Sequence, residues 1–283
     1  MPPASARGRR PVSTAVPAKI DTTFRTPVCR ASLSSMFASR LLSLVVLALL
    51  PLAGAACTLP NSDRGGSGQV DLTIPQLENV TDPDYPGEGS RVVVSDVVVS
   101  AVDNFDEDGT GRIGNVWVQE PGGGAWSAVQ LYNPVVIPSR ARLTPGDIVE
   151  AIGTLDEFVL LNDDGTPMDQ DGTQTELESA SVQKIGETLA PGATTIPEIE
   201  LTNLVHAEPW ENVLVRLENV SVTGGYDRYD ELTTEGGVTI AQDLYTIPDV
   251  AAGTTFRSLS GIVTYFFGFK LLPRGPEDVV VEP

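Results

Sequence analysis

Histidine and cysteine are nearly absent from this 283-residue chain, which has one histidine, His206, and two cysteines, Cys29 and Cys57. One imidazole excludes a multi-histidine metal site and leaves a Ser-His-Asp hydrolase or a histidine-based nuclease without support. Two cysteines are too few for a disulfide framework or a four-cysteine zinc site. The glycine run 122–124 follows Pro121 between two apolar stretches, so it predicts a hairpin turn and not a phosphate-binding loop. We therefore expect a non-enzymatic protein.

Basic residues are scarce after the first fifth of the chain. Residues 1–56 hold seven of the 18 basic residues and one of the 38 acidic ones. Residues 57–283 therefore carry 11 basic and 37 acidic residues, a formal net charge of −26. Such a polyanion is repelled by phosphate backbones and by anionic lipid, so direct nucleic-acid binding is not expected. Cations, neutral glycans and basic protein patches are the partners that this charge allows.

One long apolar run occurs, LLSLVVLALLPLAGAA at 41–56, between Arg40 and Cys57. It has the length of a secretory signal's apolar region and is shorter than a spanning helix needs. With the small residues before Cys57 it resembles the signal peptide (36–56) and lipobox of bacterial lipoproteins. The resemblance implies a lipid anchor on Cys57 and a place in the bacterial cell envelope, at the outer membrane or cell surface. Ordinary cleavage after Ala56, leaving a free thiol, is the alternative.

Two polar stretches flank this signal. Residues 1–35 are rich in Arg, Pro, Ser and Ala without apolar periodicity, and we interpret them as a disordered extension or as the product of a wrongly assigned start upstream of Met36. Cys29 is lost with this leader on either interpretation. Residues 57–70 contain Gly and Ser and predict a flexible tether.

The remaining chain repeats itself once, which predicts two units, 71–190 and 191–283. The segment Thr73-Ile74-Pro75-Gln76-Leu77 recurs as Thr195-Ile196-Pro197-Glu198-Ile199, and a valine-rich strand follows each copy. Alternating β-branched residues predict strands rather than helices. The predicted strands cover 91–102, 115–120, 126–132, 147–155 and 175–185, and then 213–223, 237–243, 254–264 and 269–281. Helical turns are predicted only at 76–85 and 198–208.

About five strands per unit with long loops predict an all-β fold of two tandem OB-like (oligonucleotide/oligosaccharide-binding) Greek-key barrels, after the signal peptide and tether. The segments EPWENVLVRLENVSVT (208–223) and LSGIVTYFFGFKLLPRGPEDVV (259–280) resemble the OB-type region of bacterial extracellular nucleases. That resemblance covers no catalytic portion, so it implies an accessory module. The expected function is a non-catalytic binding or scaffolding lipoprotein for a protein, a glycan or Ca²⁺. The alternative is an accessory component of a secreted nucleic-acid-degrading system.

Two predicted loops of the first unit, 103–112 and 162–173, are rich in Asp and Gly. OB barrels usually bind ligands through these two loops, and converging carboxylates can hold Ca²⁺. The competing interpretation is that Asp, Asn and Gly are simply the residues that turns favour. No other cofactor is expected. The candidate metal ligands are Asp103, Asp106, Asp108, Asp163, Asp169 and Asp171.

The corresponding loops of the second unit, 224–236 and 265–268, carry aromatic residues instead of an excess of acids. Aromatic rings at the mouth of a barrel can contact a sugar or a protein side chain, although alternation along a strand sends about half of such residues into the core. The candidate ligand contacts are Tyr226, Arg228, Tyr229, Tyr265 and Phe267.

Overall fold

The described part of the chain is mostly β-structure, with short helical segments before the main strands of each of two sheets. A computed structural model describes residues 70–104, 114–168 and 172–282. The first sheet consists of β1 (Val70–Asp71), β2 (Arg91–Val102), β3 (Val116–Gln119), β4 (Ala128–Leu131), β5 (Val135–Ile137), β6 (Asp147–Phe158) and β7 (Gln174–Glu187). Helix α1 (Ile74–Glu78) lies between β1 and β2.

Five strands of the first sheet close into a barrel, in the order β2-β3-β4-β7-β6 and back to β2. Strands β4 and β7 pair in parallel and the other four contacts are antiparallel. Closure depends on β2, whose first half pairs with β6 and whose second half pairs with β3. The register shifts between Val94 and Val97, where Asp96 has a φ of 60°. Such a bulge bends a strand, so one strand can serve two sides of the barrel.

The second sheet begins with β8 (Thr194–Thr195), which pairs in parallel with β9 (Leu214–Ser221). Two 3₁₀ turns, Glu198–Leu201 and Glu208–Trp210, flank helix α2 (Leu204–Ala207) between these strands. The remaining strands are β10 (Glu231–Thr233), β11 (Thr239–Ala241), β12 (Thr255–Tyr265), β13 (Phe269–Leu272) and β14 (Val279–Val281). A third 3₁₀ turn, Pro276–Asp278, separates β13 from β14.

Strands β9 to β13 pair in the same order as the closed barrel, β9-β12-β13-β11-β10, with β11 and β13 parallel. Between the ends of β9 and β10 there is one isolated bridge, Val222 to Thr234. Two backbone bonds flank it: Thr223 N–H donates to Thr233 O at 2.9 Å, and Glu235 N–H donates to Ser221 O at 2.7 Å. This single bridge joins the two edges of the second sheet.

Each sheet encloses its own apolar core, and a third cluster lies between the sheets. Phe256 is the largest fully buried side chain and fills the core of the second sheet. The third cluster joins Ala101 and Trp117 of the first sheet to Leu214, Ala241, Ile262 and Leu272 of the second. Gly66–Pro283 accordingly form one compact unit. Within the described ranges no helix has the length and apolar character that crossing a bilayer requires.

The strand predictions are confirmed for the long strands, but the prediction for 269–281 is wrong and the short strands β1, β5, β8 and β10 are not predicted. The segment predicted as one strand over 269–281 is two strands, because Pro273 and Gly275-Pro276 interrupt the ladder. Strand β10 lies within the predicted loop 224–236. Strand β5 lies in a segment for which no strand is predicted.

Candidate binding groove

An open groove of about 500 Å³ lies on the second sheet, where three separate segments meet. One wall is the turn between β12 and β13, the opposite wall is the start of α2, and β11 contributes to the floor. None of the lining residues is charged at neutral pH. They are Leu201, Thr202, Asn203, Leu204, Gly237, Thr239, Tyr265, Phe267, Gly268 and Phe269.

A tight three-residue turn, Phe266–Gly268, forms the aromatic wall. Phe266 N–H donates to Gly268 O at 3.0 Å, and Phe267 and Gly268 have φ values of 54° and 126°. Glycine adopts such a φ at low cost, whereas Phe267 is held there by the turn. The turn leaves Phe267 52% exposed, with its ring edge-on to Phe266 at 5.1 Å. The groove therefore presents a half-exposed aromatic ring that a ligand can contact.

Tyr265 anchors the base of this wall to the first sheet. Its hydroxyl accepts from Gly172 N–H at 2.7 Å, and its backbone N–H donates to Gln174 Oε1 at 2.7 Å. Its ring packs edge-on against Phe269 with centroids 5.1 Å apart. A Cβ on Gly172 would lie 2.7 Å from Leu204 Cδ1 and 2.9 Å from the Tyr265 ring, so a glycine is required for this approach.

The opposite wall is fixed by local hydrogen bonds of Asn203 and Thr202. Asn203 caps α2, its Oδ1 accepting from His206 N–H at 3.1 Å. Thr202 Oγ1 donates to Ile199 O at 3.0 Å. The Asn203 side-chain oxygen thereby satisfies one of the free backbone N–H groups at the start of the helix. The wall thus places an amide and a hydroxyl opposite the aromatic turn.

Only two of the five predicted ligand contacts, Tyr265 and Phe267, line the groove. Tyr226 is half-buried, and its hydroxyl donates to Ile247 O and accepts from Ile247 N–H, at 3.0 and 2.9 Å. Arg228 and Tyr229 form an exposed pair, with the guanidinium 4.6 Å from the ring centroid. Tyr226 therefore ties two loops together, while the exposed pair lies outside the groove lining.

Four of the six predicted metal ligands, Asp106, Asp108, Asp169 and Asp171, lie outside the described residues. Asp103 extends the β2–β3 ladder, since its N–H donates to Asn115 O at 2.8 Å and its carbonyl accepts from Gly114 N–H at 2.8 Å. Asp163 is exposed in a turn closed by a 2.9 Å bond from Gly165 N–H to Asn162 O. In this turn Asp, Asn and Gly act as turn residues.

A group of three described carboxylates whose ligand atoms all lie within 4.8 Å of one another is formed by different residues, Asp156, Glu176 and Glu178, on adjacent strands β6 and β7. Glu176 Oε2 accepts from Gln130 Nε2 at 2.9 Å. None of the three is among the predicted ligands. The sequence contains no spacing signal for them, because they meet only through strand pairing.

A second acidic group is buried where the two sheets meet. Glu78 at the end of α1 is 3% exposed and Glu211 before β9 is 2% exposed. Burial, with the nearby acidic side chains, holds the pKa of each carboxyl well above its ordinary value. Burial also raises the pKa values of the neighbouring Glu157 and Glu208 carboxyls. The sequence does not reveal these residues, because an isolated Glu normally predicts an exposed position.

No family model, curated protein or solved structure matches this chain. Cys57, the predicted lipid-anchor residue, lies outside the described residues.

Proposed function

We propose that this protein is a non-catalytic binding module of the bacterial cell envelope that holds a neutral glycan in the groove of its second sheet. The observation that carries the proposal is the groove's lining, which combines aromatic rings, an amide and hydroxyls without a charged side chain. Ligand sites in proteins are typically apolar concavities with a few fixed polar groups. A sugar ring offers an apolar face for Phe267 and hydroxyls for Asn203 and Thr239.

The contrast between the groove and the rest of the chain favours an uncharged ligand. Residues 57–283 carry a formal net charge of −26, which repels anionic ligands over distances of about 8 Å at physiological salt. A cationic ligand would instead find its partners on the acidic surface and not among neutral lining residues. A neutral glycan is indifferent to this field, so contacts in the groove alone decide its binding.

The strand order supports assigning both sheets to the OB type as part of the proposal. An OB barrel is a five-stranded, partly open Greek-key barrel, and such barrels bind oligosaccharides or oligonucleotides. The ring β2-β3-β4-β7-β6 and the path β9-β12-β13-β11-β10 each have five strands with one parallel pair. On this assignment the turn at Phe266–Gly268 connects the last two strands of the second barrel, one of the loops used for ligands in that fold.

Lipid attachment through Cys57 completes the proposal. Two acyl chains give stable membrane anchoring, since each buried methylene contributes about 0.8 kcal/mol. The polar stretch 57–70 would then separate the barrels from the membrane surface.

The test is calorimetric titration of the full chain with a panel of neutral oligosaccharides and with matched oligosaccharides that carry uronic acids. We expect binding to neutral members only, and Phe267→Ala should weaken it about tenfold, because the ring supplies about 1.4 kcal/mol of contact. Tyr229→Ala is the matched control, since it removes an exposed aromatic ring outside the groove lining. Equal loss in both variants, or tighter binding of acidic glycans or single-stranded DNA, would refute the proposal.

A further inference from the structure

The two sheets are joined by a short network of polar contacts, which we call the junction: Gln174 and Thr175 of β7, with Glu211 and Asn212 before β9. Gln174 Nε2 donates to Asn212 Oδ1 at 2.9 Å, and Asn212 Nδ2 donates to Thr175 O at 3.1 Å. Thr175 N–H donates to Glu211 Oε2 at 3.1 Å. All four residues are buried, so the network is shielded from water and each hydrogen bond is stronger than it would be at the surface.

The remaining oxygen of Glu211 has no partner, and the same is true of Glu78. The Oε1 atoms of both carboxyls are buried and lack a hydrogen-bond partner among the described residues. Asn212 and Glu211 both act on the pKa of the Glu78 carboxyl, which brings the end of α1 into the junction. A buried carboxylate oxygen without a partner is costly, whereas a neutral carboxylic acid needs much less solvation.

Every charged or titratable group that acts on this pair is acidic. Glu157 faces it from β6 and Glu208 from the 3₁₀ turn before β9. Tyr85 and Glu88, in the segment between α1 and β2, adjoin the same cluster. The described ion pairs lie elsewhere, on Lys184, Lys270 and Arg274, so no described basic side chain compensates the two buried glutamates.

We propose that Glu78 and Glu211 form a proton-dependent lock between the two sheets: as neutral carboxylic acids they hold the junction closed, and release of their protons to solvent opens it. Protons are favoured over a metal ion as the neutralising species. The described group of three carboxylates that converge is Asp156, Glu176 and Glu178, which includes neither glutamate. Two carboxyls, one of which already accepts from Thr175 N–H, fall well short of the roughly six to eight oxygen ligands that Ca²⁺ takes.

The sign of the pH dependence follows from the burial. Ionisation is disfavoured only while the junction is closed, because opening exposes both carboxyls to water. The stability of the junction is therefore complete below the ordinary carboxyl pKa and is lost as the pH rises through the raised pKa of the closed state. The opening constant should grow about tenfold per pH unit for each proton released in that interval.

The lock also reaches the groove, a consequence that rests on the proposed function. Gln174 Oε1 accepts from Tyr265 N–H and from Thr264 Oγ1, both at 2.7 Å. The same glutamine donates to Asn212. Opening the junction thus removes a support of the aromatic wall, so rising pH should loosen the groove along with the junction.

The experiment follows amide hydrogen exchange of Thr175 and Tyr265 in the full chain as a function of pH, without a ligand, so the lock is tested independently of glycan binding. After correction for intrinsic exchange, we expect the opening constant of the native chain to rise with pH. In the double variant Glu78→Gln, Glu211→Gln the profile should be flat. Glu218→Gln, an exposed glutamate on β9, is the matched control and should follow the native profile.

A direct readout on the native chain keeps the proposal testable if the double variant does not fold. Infrared spectroscopy at neutral pH should detect the carbonyl stretch of a buried neutral carboxylic acid, and the band should vanish as the exchange rate rises. Three results would overturn the lock: parallel pH profiles in the native chain and the double variant, absence of the neutral-acid band, or Ca²⁺-dependent protection of the junction that the double variant loses.

Discussion

Replacing Gly172 by alanine tests whether the first sheet really supports the groove of the second. The added methyl group would lie 2.7 Å from Leu204 Cδ1 and 2.9 Å from two atoms of the Tyr265 ring. Leu204 can move, because the atom in question is the end of a flexible side chain. The Tyr265 ring cannot move freely, since its hydroxyl accepts from Gly172 N–H and the ring packs edge-on against Phe269.

The expected cost comes from two effects. Overpacking by one methyl group costs about 1–3 kcal/mol. If the ring shifts away, the 2.7 Å bond to Gly172 N–H is lost as well, which contributes about 1 kcal/mol. We therefore expect Gly172→Ala to lower the free energy of unfolding by about 2–4 kcal/mol.

Gly192→Ala is the matched control, because nothing lies within 4 Å of a Cβ built on that residue. There the alanine only restricts the unfolded chain, so we expect a gain of about 0.4–1 kcal/mol. Urea denaturation followed by tryptophan fluorescence measures both variants, with the midpoint read at constant slope. Equal stability of the two variants would show that the contact between Gly172 and Tyr265 does not support the fold.

Two further variants test the strand pairing and the anchor. Gly261→Ala should lower the free energy of unfolding by about 2–4 kcal/mol, because the new Cβ would lie 2.6 Å from the backbone oxygen of Leu272. A backbone atom cannot rotate away as a side chain can. An unchanged urea midpoint would contradict the close approach of β12 and β13. Cys57→Ser should abolish incorporation of labelled fatty acid and release the chain from the membrane fraction of a bacterial host, whereas labelling that survives the change would refute anchoring at this residue.

Local sequence patterns were sufficient for the long strands. β2 and β9 could be predicted because they are rich in valine and leucine, and β-branched side chains in particular suit the pleated, half-buried surface of a sheet. The turn at Phe266–Gly268 could be predicted because Gly268 separates two apolar segments that are each long enough to form a strand. The three-residue strands β5 and β10 are too short to show alternation, so their pairing partners alone define them.

For the candidate site, the sequence indicated the aromatic wall and no residue of the wall at the start of α2. It identified Tyr265 and Phe267, since aromatic residues in a loop are conspicuous. It did not identify Asn203, Thr202 or Gly237, whose residue types are ordinary in turns and acquire a role only through their neighbours. The acidic loops were conspicuous for composition; residues 162–165 of the second one form a turn, and four of the six predicted metal ligands lie outside the described residues.

Composition and periodicity by themselves determined that this chain is rich in β-structure, because strand alternation and charge are properties of neighbouring residues and need no folded state. Tertiary structure alone decided that Glu78 and Glu211, 133 positions apart, would be buried at one junction, and that Gly172 would meet Tyr265. The physical reason is that burial of a polar group depends on which surfaces come together. Which surfaces come together depends on packing between segments that are distant in the sequence, so a local sequence pattern cannot predict it.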